Sequence, residues 1–252
     1  MSNAEKGPTI LYADQEHTGI RLVVFLALFI GYLIGFRVVF LLIKIFATPE
    51  IAEYTVFLSC VGGLPIALFL IWGLEKILKL VWHSGLSLTL DEQGLFVNDR
   101  RPGSQTEPAD TPTPAMVWSA HIGRTNWCFR LSGYPRGGRE RRVPAKWLCI
   151  ATELQQDDDR LSVYALMPPD KASAWVDDPK HGFHFLSMAG LYDSSMRSRM
   201  GPPVRPNIPN QLLQSKDGRY WLAERRRWEF GIELTAEDFA TLMQYVDKAA
   251  QT

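Results

Sequence analysis

From Leu22 to Phe46 the chain is apolar almost without a break, and the stretch GYLIGFRVVFLLIKIF interrupts that run with Arg37 and Lys44. A second apolar run covers Tyr54 to about Leu74 and continues as an amphipathic stretch to Trp82. A helix needs about 20 apolar residues to cross a hydrocarbon core about 30 Å thick, and both runs satisfy that. The link ATPEIAE is short, so the two helices must run antiparallel. Apolar stretches this long are rare in soluble cores. The pattern predicts a transmembrane hairpin over residues 21–82.

After Gly85 the period changes from that of a helix to that of a strand. LSLTLDEQGLFVND alternates apolar and polar positions around DEQG, which predicts a β-hairpin. Further strands are expected at Ala115–Trp118, Trp127–Leu131, Trp147–Thr152, Leu161–Leu166 and Trp228–Leu234. The proline-rich stretches RPGSQTEPADTPTP and GPPVRPNIPN suit exposed, extended loops. TAEDFATLMQYVDKAA reads as a terminal helix, with Thr235 as N-cap and Asp238 in the capping-box position. Phe239, Leu242, Met243 and Val246 give it one apolar face, expected to cover an open end of the sheet.

The expected fold class is therefore an α+β membrane protein. Residues 1–20 form a tail, 21–82 a helical hairpin and 83–252 a mostly β domain closed by a C-terminal helix. A two-helix hairpin followed by LSLTLDEQGLFV, by VWSAHIGRTNW with Trp118 and Ile122, and by that terminal helix resembles the bacterial pleckstrin-homology-like membrane proteins. The resemblance implies a small β-sandwich or barrel used for binding and scaffolding, often without catalysis. The segment from about 168 to 219 does not fit it and reads as an insertion.

Acidic and basic residues balance at 27 each, so bulk charge points to no nucleic-acid partner. The 3 cysteines, Cys60, Cys128 and Cys149, form no CxxC pair and do not suit a secreted disulfide scaffold. The residues before Leu22 lack a basic region followed by a short apolar core and cleavage site, so no cleaved signal peptide is expected. Basic residues flank the base of the hairpin (Lys6, Arg21, Lys76, Lys79), whereas the link carries Glu50 and Glu53 beside Lys44 alone. The positive-inside rule then places both termini and the large domain in the cytoplasm of a two-pass inner-membrane protein.

Gly31 and Gly35 stand four apart on the first helix, and Ser59, Gly63 and Ala67 repeat that spacing on the second. Small residues four apart let helix backbones approach closely, and folding the chain about residue 50 puts Gly35 level with residue 65. Arg37 lies about 140° round the helix from the Gly31/Gly35 face, and Lys44 falls on its side. Two readings stay open. Arg37 snorkels to the headgroups, or it meets a carboxylate or carbonyls on another subunit. Arg37, Gly31, Gly35 and Lys44 are the candidate partner-binding residues.

Catalytic signals are thin. His181 and His184 in KHGFH lack accompanying metal ligands, and ELQQDDDRLS lacks the glycine and glutamate of a calcium loop. No haem, P-loop or dinucleotide motif occurs, so neither metal nor cofactor is expected. The strongest charge feature is YPRGGRERRVP, where Arg136, Arg139, Arg141 and Arg142 sit at a turn. Beneath a bilayer such a loop gains about 1 kcal/mol per basic residue from anionic headgroups. A second run, ERRRWEF, and the first are equally readable as faces paired with local acids such as Asp157–Asp159. The expected function is a non-catalytic accessory or scaffold subunit that binds membrane lipids and membrane-protein partners. A lone sensor of anionic lipid or ligand is the alternative from a different class. A third is a membrane-anchored enzyme with its site in the 168–219 insertion.

Overall fold

A computed structural model describes residues 7–13, 17–101, 114–131, 143–191 and 207–250. The chain is α+β and divides into two compact units, Gln15–Ser84 and Met1–Asp14 with Gly85–Thr252.

The first unit consists of two long apolar helices, α1 (Thr18–Phe46) and α3 (Thr55–Val81), joined by the short α2 (Pro49–Ala52). Pro49 occupies the first helical position of α2, where its missing N–H costs nothing. The link is therefore a tight helical turn, and it sets the register of the hairpin. Gly35 faces Gly63 rather than residue 65, and Gly31 faces Ala67. At the base, His17 Nε2 lies 3.1 Å from the Trp82 carbonyl oxygen, and the two rings meet edge to face at 5.0 Å.

The second unit holds two sheets. One has the order β1 (Thr9–Tyr12), β2 (Leu86–Leu90), β3 (Gly94–Asp99), β4 (Met116–Val117), with every pair antiparallel. In β2, Leu86, Leu88 and Leu90 are buried while Ser87 and Thr89 are partly exposed, as the alternation requires. The hairpin turns where predicted, with Asp91 Oδ1 accepting hydrogen bonds from the N–H groups of Gln93 and Gly94 at 2.7 and 2.9 Å. The other sheet has the order β8 (His184–Phe185), β5 (Gly123–Arg130), β6 (Leu148–Gln156), β7 (Asp159–Met167), β9 (Ile232–Leu234). Its outer pairs, β5 with β8 and β7 with β9, are parallel.

The central strands β5, β6 and β7 are buried on both faces, and that makes the unit layered. Cys128, Ile150, Leu154, Val163 and Ala165 share one core with Leu88, Leu90 and Leu95 of the first sheet. Helix α7 (Ala236–Ala249) closes that core with Phe239, Leu242, Met243 and Val246, and its Asp238 N–H donates to Thr235 Oγ1 at 3.0 Å. Trp127, Phe129, Cys149, Ala151 and Tyr164 point the other way into a second core. Trp221 and Ala223 of α6 (Gly218–Phe230), together with Leu186, Met188 and Ile208, cover that face.

Three expectations change. The strand expected over Trp228–Leu234 is a helix through Phe230, and only Ile232–Leu234 is extended. Trp221, Ala223, Glu224 and Arg227 form the buried side of α6, so two charged residues stand where an apolar period is sought. Gly231 makes the break, because a Cβ there would overlap the Arg227 carbonyl. Residues 1–20 are not simply a tail, since Leu11 is 2 % exposed and β1 pairs with β2, Leu11 opposite Leu88. The helical unit is thus inserted between adjacent strands of one sheet. The segment 168–219 contributes α4 (Pro169–Val176), β8, α5 (Asn210–Leu213) and the start of α6, all integral to the second unit.

Candidate functional site

The helical unit carries two different faces. The inner face is a seam of small residues, Gly31 and Gly35 of α1 against Ser59, Gly63 and Ala67 of α3. A Cβ on Gly35 would come 2.5 Å from the Gly63 carbonyl oxygen, and one on Gly63 would come 2.8 Å from the Phe36 nitrogen. Only glycine fits at either position. Ser59 donates to the Thr55 carbonyl at 2.6 Å, and Thr55 to the Ala52 carbonyl at 2.6 Å. The small hydroxyls are thus satisfied by carbonyls three or four residues back and leave the seam free for backbone contact. Gly31 and Gly35 are occupied by the sister helix of the same chain.

The outer face is apolar and bare. Only 17 % of the most apolar window of each helix is buried within the protein. Phe29, Leu33, Ile45, Phe57 and Phe69 are among the exposed side chains. By length and composition both helices are able to cross a membrane. Aromatic and cationic groups mark both ends. Lys44 Nζ lies 4.9 Å from the centroid of the Phe40 ring near the turn, and Lys76 Nζ lies 3.8 Å from that of Trp72 near the base. Lys79 pairs with Glu75 at 3.0 Å.

Arg37 sits in this bare face. It is exposed, and among the described residues it has neither a hydrogen-bond partner nor an ion pair. Pro65 on α3 has no N–H for the Val61 carbonyl one turn back, and Val61 is level with Arg37. Even so, Arg37 does not reach it. Lys44 shares the side of Arg37 and is also exposed.

The globular unit places the other candidates. Arg136, Arg139, Arg141 and Arg142 lie outside the described residues, as do most of both proline-rich loops. The ERRRWEF run is on α6, where Glu224 and Arg227 are buried, Arg226 is half-buried and Arg225 stays exposed. Arg227 donates from Nε and Nη2 to the two oxygens of Glu224 at 2.8 and 2.9 Å, and its guanidinium lies over the Tyr164 ring at 4.5 Å. Trp127 Nε1 donates to the same carboxylate at 2.9 Å. Arg226 makes a fork on Glu153 at 2.5 and 2.7 Å. Glu153, Glu224 and Arg227 are at most 3 % exposed. The Arg226–Glu153 fork and the Trp127–Glu224 hydrogen bond fasten α6 to the sheet, while Arg227 neutralises Glu224 within the helix.

His181 and His184 have separate surroundings. His181 packs 4.8 Å from Trp175 with Nε2 3.7 Å from Asp178, while His184 stacks on Tyr220 at 4.1 Å and approaches Asp217 at 3.4 Å. Among the described residues no three His, Cys, Asp or Glu side chains converge. Cys128 and Cys149 occupy opposite faces of their sheet and so belong to different cores. Burial pushes the Cys128 thiol up to about 11, which keeps it protonated near neutrality. Burial also raises Asp247, but hydrogen bonds from Arg124 and Lys180 outweigh it and hold the carboxyl below its usual range. An open groove of about 1220 Å³ is walled by Trp118, His121, Arg124, Tyr245 and Lys248.

No protein-family model, curated protein or solved structure matches this chain.

Proposed function

We propose that this chain is a non-catalytic, membrane-anchored accessory or scaffold subunit that binds partner membrane proteins through its helices and its globular unit. One observation carries the reading: an arginine without a partner among the described residues stands in the exposed apolar face of a helix long enough to span a bilayer. A charge at bilayer depth costs about 3 kcal/mol even on the mildest scale, and such residues are normally paired within a bundle or cavity. The sister helix has already used its close-packing face on Gly31 and Gly35, so the arginine is left for something outside the chain.

The globular unit is a binding module in this reading. Two sheets round a shared core, closed by a C-terminal helix, make it a compact body able to present a binding surface. The base of the hairpin, with Arg21, Lys76 and Lys79, faces the cytoplasm of an inner membrane, and the link with Glu50 and Glu53 faces outward. Lipids contact the remaining apolar surface.

The test is purification of the tagged full chain from its own membrane in mild detergent, followed by a native gel and mass spectrometry. The expected result is a species well above the 28.6 kDa of one chain, containing other membrane proteins in fixed stoichiometry. A lone monomer or a self-dimer overturns the proposal.

A further inference from the structure

We infer that the stripe Ile30, Leu33, Arg37, Leu41 and Lys44 of α1 docks a transmembrane helix of a different protein, and that this helix carries an aspartate or glutamate at the depth of Arg37. The inference rests on the proposed function and names the chemistry of the partner.

At 100° per residue these five positions fall within about 80° of one another and form one continuous strip along the helix. All five are exposed, with Ile30 at 61 %, Leu33 at 63 % and Leu41 at 56 %. Apolar side chains thus surround a central cation, which is the surface that another apolar helix with a single carboxylate would complement.

Depth decides between a protein partner and headgroups. Because Gly31 faces Ala67 and Gly35 faces Gly63, Arg37 is level with Val61. At 1.5 Å per residue, Val61 lies about 9 Å inside the start of α3. Helix side chains leave the backbone pointing toward the helix N-terminus. For α1 that direction leads away from the turn and further into the bilayer. Lys44 shows the same lean, with its Nζ over the ring of Phe40 one turn back. To reach even the level where α3 starts, Arg37 must climb about 9 Å against its own Cα–Cβ direction. A carboxylate brought alongside meets it where it already points.

A second copy does not supply that carboxylate. The acids of the helical unit outside the base are Glu50 and Glu53 in the turn, and Glu75 stands near the base. A second copy shares the orientation of the first in the membrane, so none of these reaches the level of Arg37. Lys44, on the same strip, adds like charge in any symmetric contact through it. The partner must be a different chain.

Photo-crosslinking in the native membrane tests this with the full chain. A benzophenone amino acid replaces Leu33 or Leu41 on the strip, or Phe69 on α3 as the off-strip control. Each is made with Arg37, Arg37→Leu and Arg37→Lys, at membrane levels matched by immunoblot. The expected result is an adduct from Leu33 and Leu41 to an apolar segment of another protein that contains Asp or Glu. Its yield falls at least tenfold in Arg37→Leu and is largely kept in Arg37→Lys. Changing the partner's acid to its amide lowers the yield to the same extent. Adducts to lipid alone, to a second copy, or to a segment without an acid overturn the inference. So does an adduct that is indifferent to Arg37→Leu. If stoichiometric partners co-purify with the unaltered chain but none is crosslinked from Leu33 or Leu41, this inference fails while the accessory-subunit reading stands. If no partner co-purifies with the unaltered chain, both fail.

Discussion

Two arginines show how little a residue type says until its neighbours are known. Arg227 stands in a run of charges that reads as a solvated face, yet it is 3 % exposed and forks onto Glu224 between the rings of Phe129 and Tyr164. Arg37 stands in a run of hydrophobic residues and is exposed without a partner among the described residues. Removing one partner of a buried pair leaves the other charge uncompensated. Arg227→Met should therefore lower the stability of the globular unit by about 3–5 kcal/mol, read as a drop in the urea midpoint followed by tryptophan fluorescence. Adding Glu224→Leu should return much of that loss, because a pair replaced by apolar groups is often neutral. A double variant as unstable as the single one would mean that the hydrogen bond from Trp127 to Glu224, not the ion pair, holds α6 in place.

Among the elements, the two long helices and the terminal α7 were the most legible. Their apolar period and the Thr235 cap stand in the local sequence, and the structure places all of them within a residue or two of expectation at most ends. The seam between α1 and α3 is also written there, as small residues four apart, although the turn α2 shifts its register. Gly35→Ile should force the helices apart and cost about 1–3 kcal/mol, seen as a lower detergent-denaturation midpoint of the full chain. Gly73 on α3, where an added Cβ meets nothing within 4 Å, is the control. Gly73→Ile should leave that midpoint unchanged, and equal losses at both sites would argue against a close-packed seam. Helix α6 escapes a search for apolar periodicity for a physical reason. Its buried side uses an internally neutralised Glu and Arg, so burial and hydrophobicity part company.

At the scale of the whole molecule the chain makes a sheet, leaves it for a helical hairpin and returns to the neighbouring strand. Ala13 N–H donates to the Leu86 carbonyl at 3.0 Å, so the ends of the excursion nearly meet. Replacing Gln15–Ser84 by a turn of about four residues should therefore close an ordinary β-hairpin. The product is expected to be water-soluble, with a β-rich circular dichroism spectrum and a cooperative thermal transition. Aggregation or a non-cooperative melt would show that the helical unit is needed for the sheet to form. The sequence alone determined the elements whose code is local: the apolar helices, the DEQG hairpin, the capped terminal helix and the small-residue seam. Periodicity and turn chemistry are short-range, so each is readable within a window of a few turns. Tertiary structure decided the rest. That Thr9–Tyr12 is an edge strand beside residues far along the chain, that β8 and β9 join in parallel, and that Arg226 meets Glu153 and Arg227 the Tyr164 ring all depend on distant partners. So does the isolation of Arg37, because whether a charge is paired is a property of what surrounds it and not of the residue itself.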